Sequence, residues 1–334
     1  MSSLIRSVNK KIPGLLIFLF LFFNSSAYAA KVAIVNFADN PDYQNCRIVF
    51  SSLLKKEAAN RNVPMEIVYI DTKGNMESFI KEAKAIENSV DLFFTVGRPS
   101  ALALKEAGIT KPVLFNAIAN PVGVVVNSLV NPGTNFTGVH SAVPVNKQLK
   151  ALQMVIMRVK KIGLLYSQDN PFSLAQIKKW KEAINELVDN QISDLEIAEF
   201  PIPASVDTEA ALVEMFKREV AGNADVLVAP DDSKITNLAA GLIAAVLENN
   251  MPFYSSDTAM VRKGALLSLG FDYAEGAKLS VPIAFDIING RSPAGISVAT
   301  YPQYKMYLNL KTAQKIKLSV TMEAIKNASE IFKE

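Results

Sequence analysis

Cysteine and histidine are almost absent from this chain of 334 residues, in which Cys46 and His140 are the only examples of each. A single cysteine cannot form an intramolecular disulfide, so a packed core must supply the stability. A single histidine excludes zinc sites built from several histidines, such as HExxH. The motifs GxGxxG, GxxxxGKS/T and GxSxG are also missing. These absences disfavour a phosphate-binding loop, zinc catalysis and a serine nucleophile elbow.

The first 30 residues have the three parts of a secretory signal peptide: a basic start, the apolar run Ile12 to Phe23, and small residues up to Ala30. The run has 12 residues, whereas a helix needs about 20 to span a bilayer. Ala27-Tyr28-Ala29 fits the A-x-A cleavage pattern. No basic flank follows the run, which disfavours the alternative of an uncleaved anchor. We therefore predict that residues 1–30 are a signal peptide and that the mature protein is exported.

The mature chain also lacks an excess of charge of either sign. The formal net charge of +3 comes from 35 basic and 32 acidic residues, and three of the basic ones lie in the predicted signal peptide. The remaining 32 positive and 32 negative groups cancel, and the lysines are interleaved with glutamates along helical segments. Electrostatic binding to nucleic acid needs a clustered basic face. We therefore expect no nucleic-acid partner.

Apolar runs rich in β-branched residues alternate with segments of helical spacing along the mature chain. One series begins with a strand at Lys31 to Phe37, and a second begins with a strand at Lys161 to Tyr166. This alternation is typical of parallel sheets covered by helices. Roughly 300 residues are enough for two domains, so we predict two similar α/β lobes. A late helix, which Asp272 and Glu275 cap and which follows both series, suggests that the chain returns to the first lobe.

Ligands of parallel sheets bind beyond the carboxyl ends of the strands, where loops and helix N-termini present backbone N–H groups. The corresponding loops of this chain are rich in Asn, Asp, Ser, Pro and aromatic residues. They span residues 37–43, 97–100 and 116–123 in the first unit, and 167–173, 230–233 and 255–260 in the second. We expect a small molecule to bind between these two sets of loops.

Few residues offer a route to catalysis. His140 would have to serve any Ser/His/Asp triad, yet it lies in a segment that we predict to be a strand or crossover. Asp231 and Asp232 form a carboxylate pair that glycosidase or metal chemistry could use. Because adjacent side chains usually diverge, we favour a helix cap for one and a solvent or ligand contact for the other. Trp180, among lysines on a predicted helix, is expected at the surface or between the lobes.

Motifs spread over the whole mature chain resemble one family of binding proteins. They begin with Thr95-Val-Gly-Arg-Pro-Ser100, Asn120-Pro-Val-Gly123 and Asn131-Pro-Gly-Thr-Asn-Phe-Thr-Gly138. The likeness continues through Ile162 to Tyr166, Ala229 to Ser233, Gly264 to Gly276 and Asn309 to Ala313. The stretches NPGTNFTG, GFDYAEG and NLKTA at their expected distances make it specific. The chain resembles the ABC transporter substrate-binding proteins of the tryptophan/tyrosine type.

This resemblance implies a periplasmic-binding-protein fold of type 1. Such a fold is α/β, with two Rossmann-like lobes of parallel sheet, three crossovers and a ligand cleft between the lobes. We expect residues 31–140 and 272–302 to form lobe 1, and residues 141–271 and 303–334 to form lobe 2. Hinges are expected near residues 139–143, 270–272 and 300–304, and closure about them would bury the ligand.

The resemblance also implies a function. We expect a monomeric periplasmic component of an ABC importer that captures an amino acid or an amino-acid-like molecule. It would deliver this ligand to an ABC permease and ATPase in the inner membrane, without a cofactor, a metal or catalysis. A solute-sensing subunit of a membrane signalling complex and a secreted hydrolase that uses Asp231 and Asp232 remain alternatives.

For such a ligand, the resemblance suggests particular contacts. The carboxylate would bind the N–H groups at the helix start near Ser100, with the Ser100 hydroxyl and Arg98. The ammonium would pair with Asp232, and Phe37, Tyr43, Phe115 or Phe172 would form apolar walls. The other expected contacts are Asn40, Asn116, Asn120, Ser173, Asp257 and Asp272.

Two positions depart from the family pattern. The family usually has threonine where this chain has Arg98, and a His-Pro dipeptide where it has Asn40-Pro41. Arg98 either binds a ligand carboxylate or phosphate through two hydrogen bonds or points to solvent beside the helix start. The departures therefore leave open whether the ligand is an aromatic amino acid.

Overall fold

The structure, a computed structural model, describes residues 29–37 and 41–333. The predicted signal peptide, apart from Ala29 and Ala30, lies outside the described residues, as does Asn40. Ala30 already belongs to the first strand, one residue before the predicted start of the mature chain. In the described ranges, no helix has the length and apolar character needed to cross a membrane.

Six parallel strands form the first sheet. They are β1 (Ala30–Asn36), β2 (Met65–Asp71), β3 (Leu92–Val96), β4 (Val113–Ile118), β5 (Phe136–His140) and β11 (Ala299–Thr300), in the order β11-β5-β4-β3-β1-β2. The helices of this lobe are α1 (Pro41–Asn60), α2 (Met76–Ile86), α3 (Arg98–Glu106) and α10 (Tyr273–Ile288).

Helices cover both faces of this sheet, because successive side chains of a strand point to opposite faces. Phe93 packs in the core formed with α2 and α3, whereas Phe94 packs in the core formed with α1 and α10. The ring of Phe94 stacks on that of Phe50, with the centroids 3.6 Å apart. Burial on both faces explains why the strands appear in the sequence as continuous apolar runs.

The second sheet has seven strands in the order β13-β12-β10-β9-β8-β6-β7. They are β6 (Lys161–Ser167), β7 (Glu196–Ile202), β8 (Val226–Ala229), β9 (Phe253–Ser255), β10 (Leu267–Gly270), β12 (Lys305–Asn309) and β13 (Glu330–Phe332). All neighbours are parallel except β10 and β12. The helices of this lobe are α4 (Val145–Val155), α5 (Pro171–Asp189), α6 (Glu209–Met215), α7 (Ser233–Asn237), α8 (Ala239–Glu248), α9 (Ala259–Lys263), α11 (Leu310–Lys315) and α12 (Met322–Asn327).

Trp180 lies in the core of the second lobe, so the prediction of a surface position is wrong, although the residue also lines the cleft between the lobes. It is 2% exposed and packs edge-on against Tyr254 in the core beneath α4 and α5. Ile177, Trp180 and Ile184 are the buried side of α5, while the neighbouring lysines occupy the opposite side. Because these apolar residues recur at helical spacing, they form one side of α5, which packs against the core even though lysines lie between them in the sequence.

The chain passes between the two sheets three times. It leaves β5 for α4 through residues 141–144, returns from β10 to α10 through residues 271–272, and leaves β11 for β12 through residues 301–304. Helix α10 packs against α1, so the late helix does return to the first lobe. The predicted fold of two α/β lobes with three crossovers is confirmed. The predicted lobe boundaries and hinge positions stay predictions, because the order of strands in the sheets assigns only the strands to a lobe.

Candidate functional site

A cleft lies between the lobes and consists of two adjoining chambers. The inner chamber has a volume of about 300 Å³ and the outer one a volume of about 520 Å³. Loops after β4 and β8 line both chambers, and those after β5, β9 and β10 line the inner one. The residues common to both chambers are Tyr43, Pro99, Ala117, Ala119, Asp231 and Ser233. The cleft therefore occupies the carboxyl ends of the strands, as the sequence predicts.

Charged side chains line both chambers of the cleft. Arg98 lines only the outer chamber, and Asp257 lines only the inner one. Asp231 lines both chambers and so lies at their junction. The other charged residues in the lining are Asp169, Asp232 and Lys234 in the outer chamber and Lys179 in the inner one.

Asp232 is a structural cap and not the free carboxylate that the resemblance suggests. It is 1% exposed, and its carboxylate accepts a hydrogen bond from the backbone N–H of Lys234 at 3.0 Å, which caps α7. The Ser167 backbone N–H and hydroxyl donate to the same carboxylate at 3.1 and 3.0 Å. The Ser173 hydroxyl is a fourth donor. These four donors occupy the acceptor sites of the carboxylate, so it has little capacity left for an ammonium.

Asp231 is the carboxylate that faces the cleft. Gln176 donates to its backbone carbonyl at 3.5 Å, but no described residue donates a hydrogen bond to its side chain. Burial raises the pKa of this carboxyl, and the charge of Asp232 raises it further, while the nearby Arg98 guanidinium lowers it. The pair thus divides as expected for adjacent residues: Asp232 caps a helix, and Asp231 is available to a ligand.

Arg98 extends across the cleft from the start of α3. Its guanidinium carbon lies 4.0 Å from the centroid of the Phe172 ring on α5 of the second lobe. The side chain therefore lies against the second lobe, while its contact with a ligand carboxylate or phosphate stays a prediction. Stacking on a ring leaves the N–H groups at the edge of a guanidinium available, and no described residue accepts a hydrogen bond from them.

A second contact joins the lobes at the inner chamber. Lys179 of α5 donates a hydrogen bond to the side-chain oxygen of Asn120 at 2.5 Å. Both residues line the inner chamber, so the predicted position of Asn120 in the cleft agrees with the structure. Lys179 also contributes to the lowered pKa of His140, although burial is the larger cause. His140 itself pairs with Thr300 at 2.8 Å and lines neither chamber.

Asp257 is held at the inner end of the cleft. Its carboxylate accepts hydrogen bonds from the backbone N–H of Ala259 at 2.9 Å and from the Thr236 hydroxyl at 3.3 Å. Burial and the charge of Asp231 raise the pKa of Asp257 to about 6. The inner chamber is therefore lined by two partly buried carboxylates, Asp231 and Asp257, and by Lys179.

Aromatic side chains form much of the apolar wall. The Tyr43 and Tyr273 rings lie 5.7 Å apart, and both residues line the inner chamber together with Trp180. Gly97, with φ of 83°, permits this arrangement, because a Cβ at this position would lie 2.4 Å from the Tyr43 ring. Tyr43 and Phe172 thus line the cleft as predicted, whereas Tyr273 and Trp180 were not among the predicted contacts.

Four of the predicted contacts lie outside both chambers. The Ser100 hydroxyl accepts a hydrogen bond from the Phe37 backbone N–H at 3.1 Å, and Ser173 holds Asp232. Asn116 is fully buried, where it donates to Ser280 at 3.2 Å and accepts from Tyr301 at 2.5 Å. Asp272 caps α10 and pairs with Lys305 at 2.7 Å. These polar groups stabilise the loops and helix starts around the cleft and do not face a ligand.

Metal binding has no visible basis in the part of the chain that the structure describes, because no three His, Cys, Asp or Glu side chains are grouped to hold an ion. Asn40, the remaining predicted contact, is outside the described residues. The charged residues that line the cleft include Arg98, Asp231, Asp257 and Lys179, and the aromatic residues include Tyr43, Tyr273 and Phe172.

Comparisons with known proteins place the chain among binding proteins. A family model described as "ABC transporter substrate binding protein" matches residues 31–332. The chain is 23% identical over 288 residues to the "Tyrosine-binding protein" of Clostridioides difficile (strain R20291), which covers 86% of this chain and 80% of that protein.

Two solved structures share the fold. One is the ABC domain from Streptococcus pneumonia in complex with L-Trp, with a TM-score of 0.76 and 23% identity over 91% of this chain and 100% of that one. The other is the ligand-free, open structure of a substrate binding protein with adhesive properties from Clostridium difficile. Its TM-score is 0.75, with 24% identity over 92% of this chain and 100% of that one.

The role of Asp232 as a cap predicts a loss of stability on substitution. In Asp232→Ala, the four donors lose their buried acceptor, and we expect the free energy of unfolding to fall by about 2–4 kcal/mol. Urea denaturation of the protein without ligand measures this. Asp286→Ala is the control, because Asp286 is an exposed residue paired only with Arg291, and its removal should cost about 0.5 kcal/mol or less. Equal losses of unfolding free energy in the two variants would contradict the assignment of Asp232 as a structural cap.

Asp257 predicts a dependence of stability on pH. Its pKa is raised from the ordinary 3.8 to about 6 in the folded protein, so folding favours the protonated form. This preference stabilises the folded protein fully at pH values below 3.8, and the stabilisation is lost as the pH rises through about 6. Asp257→Asn should therefore raise the Tm above that of the wild type by about 2–4 °C at pH 8 and by little at pH 4. If the difference in Tm between Asp257→Asn and the wild type did not depend on pH, burial would not raise the pKa of Asp257.

Proposed function

Because the chain belongs to the family of ABC transporter substrate binding proteins, we propose that it captures an amino-acid zwitterion between its lobes and delivers it to a membrane permease. The observation that carries this proposal is the unpartnered Asp231 carboxylate beside the Arg98 guanidinium, at the junction of the two chambers. The proposed setting is the periplasm, after removal of the signal peptide. The proposed partners are an ABC permease and its ATPase.

The ammonium group of the ligand would bind Asp231. Asp231 is half-buried, and a carboxylate partly withdrawn from water without donors is costly unless a counter-charge and hydrogen bonds compensate for its lost hydration. An ammonium supplies both, since it has three N–H donors and a positive charge. The raised pKa of Asp231 has burial as its main cause, so a bound cation would relieve the strain. This assignment replaces Asp232, whose acceptor sites are occupied within its own lobe.

The carboxylate of the ligand would bind Arg98. A guanidinium offers paired N–H groups that match a carboxylate, and stacking on Phe172 fixes its plane. The charge of Arg98 is close enough to Asp231 to lower the pKa of that carboxyl, yet no direct ion pair joins these two described residues. A zwitterion carries its ammonium and carboxylate on one carbon atom, so it fits between such neighbouring charges. A neutral sugar could hydrogen-bond to both groups but would leave both charges without a counter-charge.

The side chain of the ligand would then extend into the inner chamber. Tyr43, Tyr273 and Trp180 present aromatic surface there, which suits an aromatic ring. A volume of about 300 Å³ lies at the lower end of the range for small-molecule sites. The tyrosine-binding relative and the structure in complex with L-Trp support an aromatic amino acid as the ligand class.

Closure of the lobes would retain the ligand. The Arg98–Phe172 and Lys179–Asn120 contacts join the lobes on either side of the zwitterion site. Opening about the three connections between the lobes would break both contacts and release the ligand to the permease. We propose binding without chemical change, since a hydrolase using the Asp231–Asp232 pair would need a carboxylate that is instead committed to capping α7. Each cleft is complete within one chain, which is consistent with a monomer.

Replacement of Asp231 tests the proposal. Asp231→Asn keeps the shape of the side chain but removes the charge, and we expect the affinity for L-tyrosine and L-tryptophan to fall about 30-fold or more. Isothermal titration calorimetry of the mature protein measures both affinities, and the Tm checks that the variant folds. Asp286→Asn, an exposed carboxylate change away from the cleft, should bind as the wild type does. An affinity of Asp231→Asn within about threefold of the wild type would contradict the ammonium assignment.

A further inference from the structure

The single histidine of the chain lies where two of the connections between the lobes begin. His140 ends β5, directly before the connection of residues 141–144, and Thr300 ends β11, directly before the connection of residues 301–304. The Nε2 atom of His140 lies 2.8 Å from the Thr300 hydroxyl oxygen. The Nδ1 atom of the same ring accepts a hydrogen bond from the Ala142 backbone N–H at 3.5 Å. One imidazole ring thus joins the first connection to the start of the third.

These two contacts require a neutral ring with its proton on Nε2. Because Nδ1 accepts a hydrogen bond from a backbone N–H, it carries no proton, and Nε2–H therefore donates to the Thr300 hydroxyl. A proton taken up from solvent would occupy Nδ1 and make it a donor that faces the Ala142 N–H. The hydrogen bond to Ala142 would then be lost in a place where His140 is only 9% exposed, so water has little access to replace it.

A lysine of the opposite lobe also disfavours a charged ring. Burial lowers the pKa of His140, and the positive charge of Lys179 on α5 lowers it further. Lys179 donates the hydrogen bond to Asn120 that joins the lobes at the inner chamber. Protonation of His140 would add a second positive charge on the side of the first lobe and would repel Lys179. The charged ring therefore opposes the contact between the lobes.

The described elements packed against β5 bring no carboxylate that would offset this repulsion. Strand β4 places Ile118 beside His140, and β11 places Thr300 there. Neither the two connections nor residues 293–295, which also pack against β5, contain a charged residue. Helix α10 packs on β5 as well, and its charged residues take part in exposed ion pairs, which are Glu275–Lys278 and Asp286–Arg291.

We propose that His140 is a pH-sensitive link between the lobes, and that its protonation favours the open form and release of the ligand. Release rests on the proposed function, whereas opening requires no bound amino acid. The preference for the closed form is complete above the ordinary histidine pKa of 6.5 and is lost as the pH falls through the lowered pKa of the closed form. By linkage, a ligand that binds between closed lobes must lower the pKa of His140 further.

NMR titration of this one imidazole measures the linkage directly. In the untagged mature protein with isotope-labelled histidine, the only histidine signals come from His140. We expect the Nε2–H tautomer at pH 7.5 and a lower pKa of His140 when the protein is saturated with L-tyrosine. A neutral ring protonated on Nδ1, or a pKa that L-tyrosine binding leaves unchanged, would overturn the inference.

Small-angle X-ray scattering measures opening without a ligand. The radius of gyration of the wild type should be larger at pH 5 than at pH 7.5. His140→Asn should have the same radius at both pH values, because its amide oxygen accepts a hydrogen bond but takes up no proton in this range. Asp257→Asn is the control, since the pKa of Asp257 is about 6, and it should open as the wild type does. A wild-type radius that does not depend on pH, or an equal change in His140→Asn, would overturn the inference.

Calorimetry with L-tyrosine at the same two pH values connects opening to release. We expect the wild type to bind about fivefold or more weakly at pH 5, and His140→Asn to lose about threefold less affinity than the wild type. If the Tm shows that His140→Asn is not folded, the NMR titration of the wild type decides. Opening at pH 5 without amino-acid binding at either pH would contradict only the proposed function. Tyrosine binding with a pH-independent radius would contradict only the pH-sensitive link.

Discussion

The Asp232 carboxylate, with its four donors, is the constraint on which the site depends. It ties the end of β6 at Ser167 to Ser173 on α5 and to the start of α7. Because Asp232 points into its own lobe, the adjacent Asp231 is turned into the cleft. The Asp232 carboxylate, which accepts four hydrogen bonds, thus fixes the position of Asp231, whose own carboxylate accepts none from the described residues. Partial burial of the Asp231 carboxylate without a donor costs free energy, and packing elsewhere in the fold offsets this cost. A bound ligand would supply the missing hydrogen-bond donor.

The lobes are held together by contacts of modest strength. A cation–π contact contributes about 0.5–2 kcal/mol and an ordinary hydrogen bond about 1 kcal/mol. The Arg98–Phe172 and Lys179–Asn120 contacts together therefore remain below the roughly 5.5 kcal/mol that would move a two-state equilibrium from 1:99 to 99:1. A ligand that binds only between closed lobes can supply the difference. The same weakness allows the cleft to reopen for release.

Much of the fold is predictable from the sequence because burial on both faces makes strands such as Leu92–Val96 continuous apolar runs. The site is less predictable. The sequence identifies the Asp231–Asp232 loop, but the cap depends on Ser167 and Ser173, which are 65 and 59 residues away from Asp232. Lys179 has the pattern of a solvated lysine, and only the arrangement of the lobes brings it to Asn120. Asn116 and Ser173 were expected in loops, yet they lie in β4 and α5, and their side chains turn away from the cleft.

A crystal structure of the mature protein with L-tyrosine would show how the zwitterion is held. We expect an ammonium within about 3 Å of the Asp231 carboxylate, a carboxylate on the Arg98 guanidinium, and an aromatic ring in the inner chamber. A ligand bound in the reverse direction, with its carboxylate away from Arg98, or a ligand bound outside the cleft, would contradict this assignment.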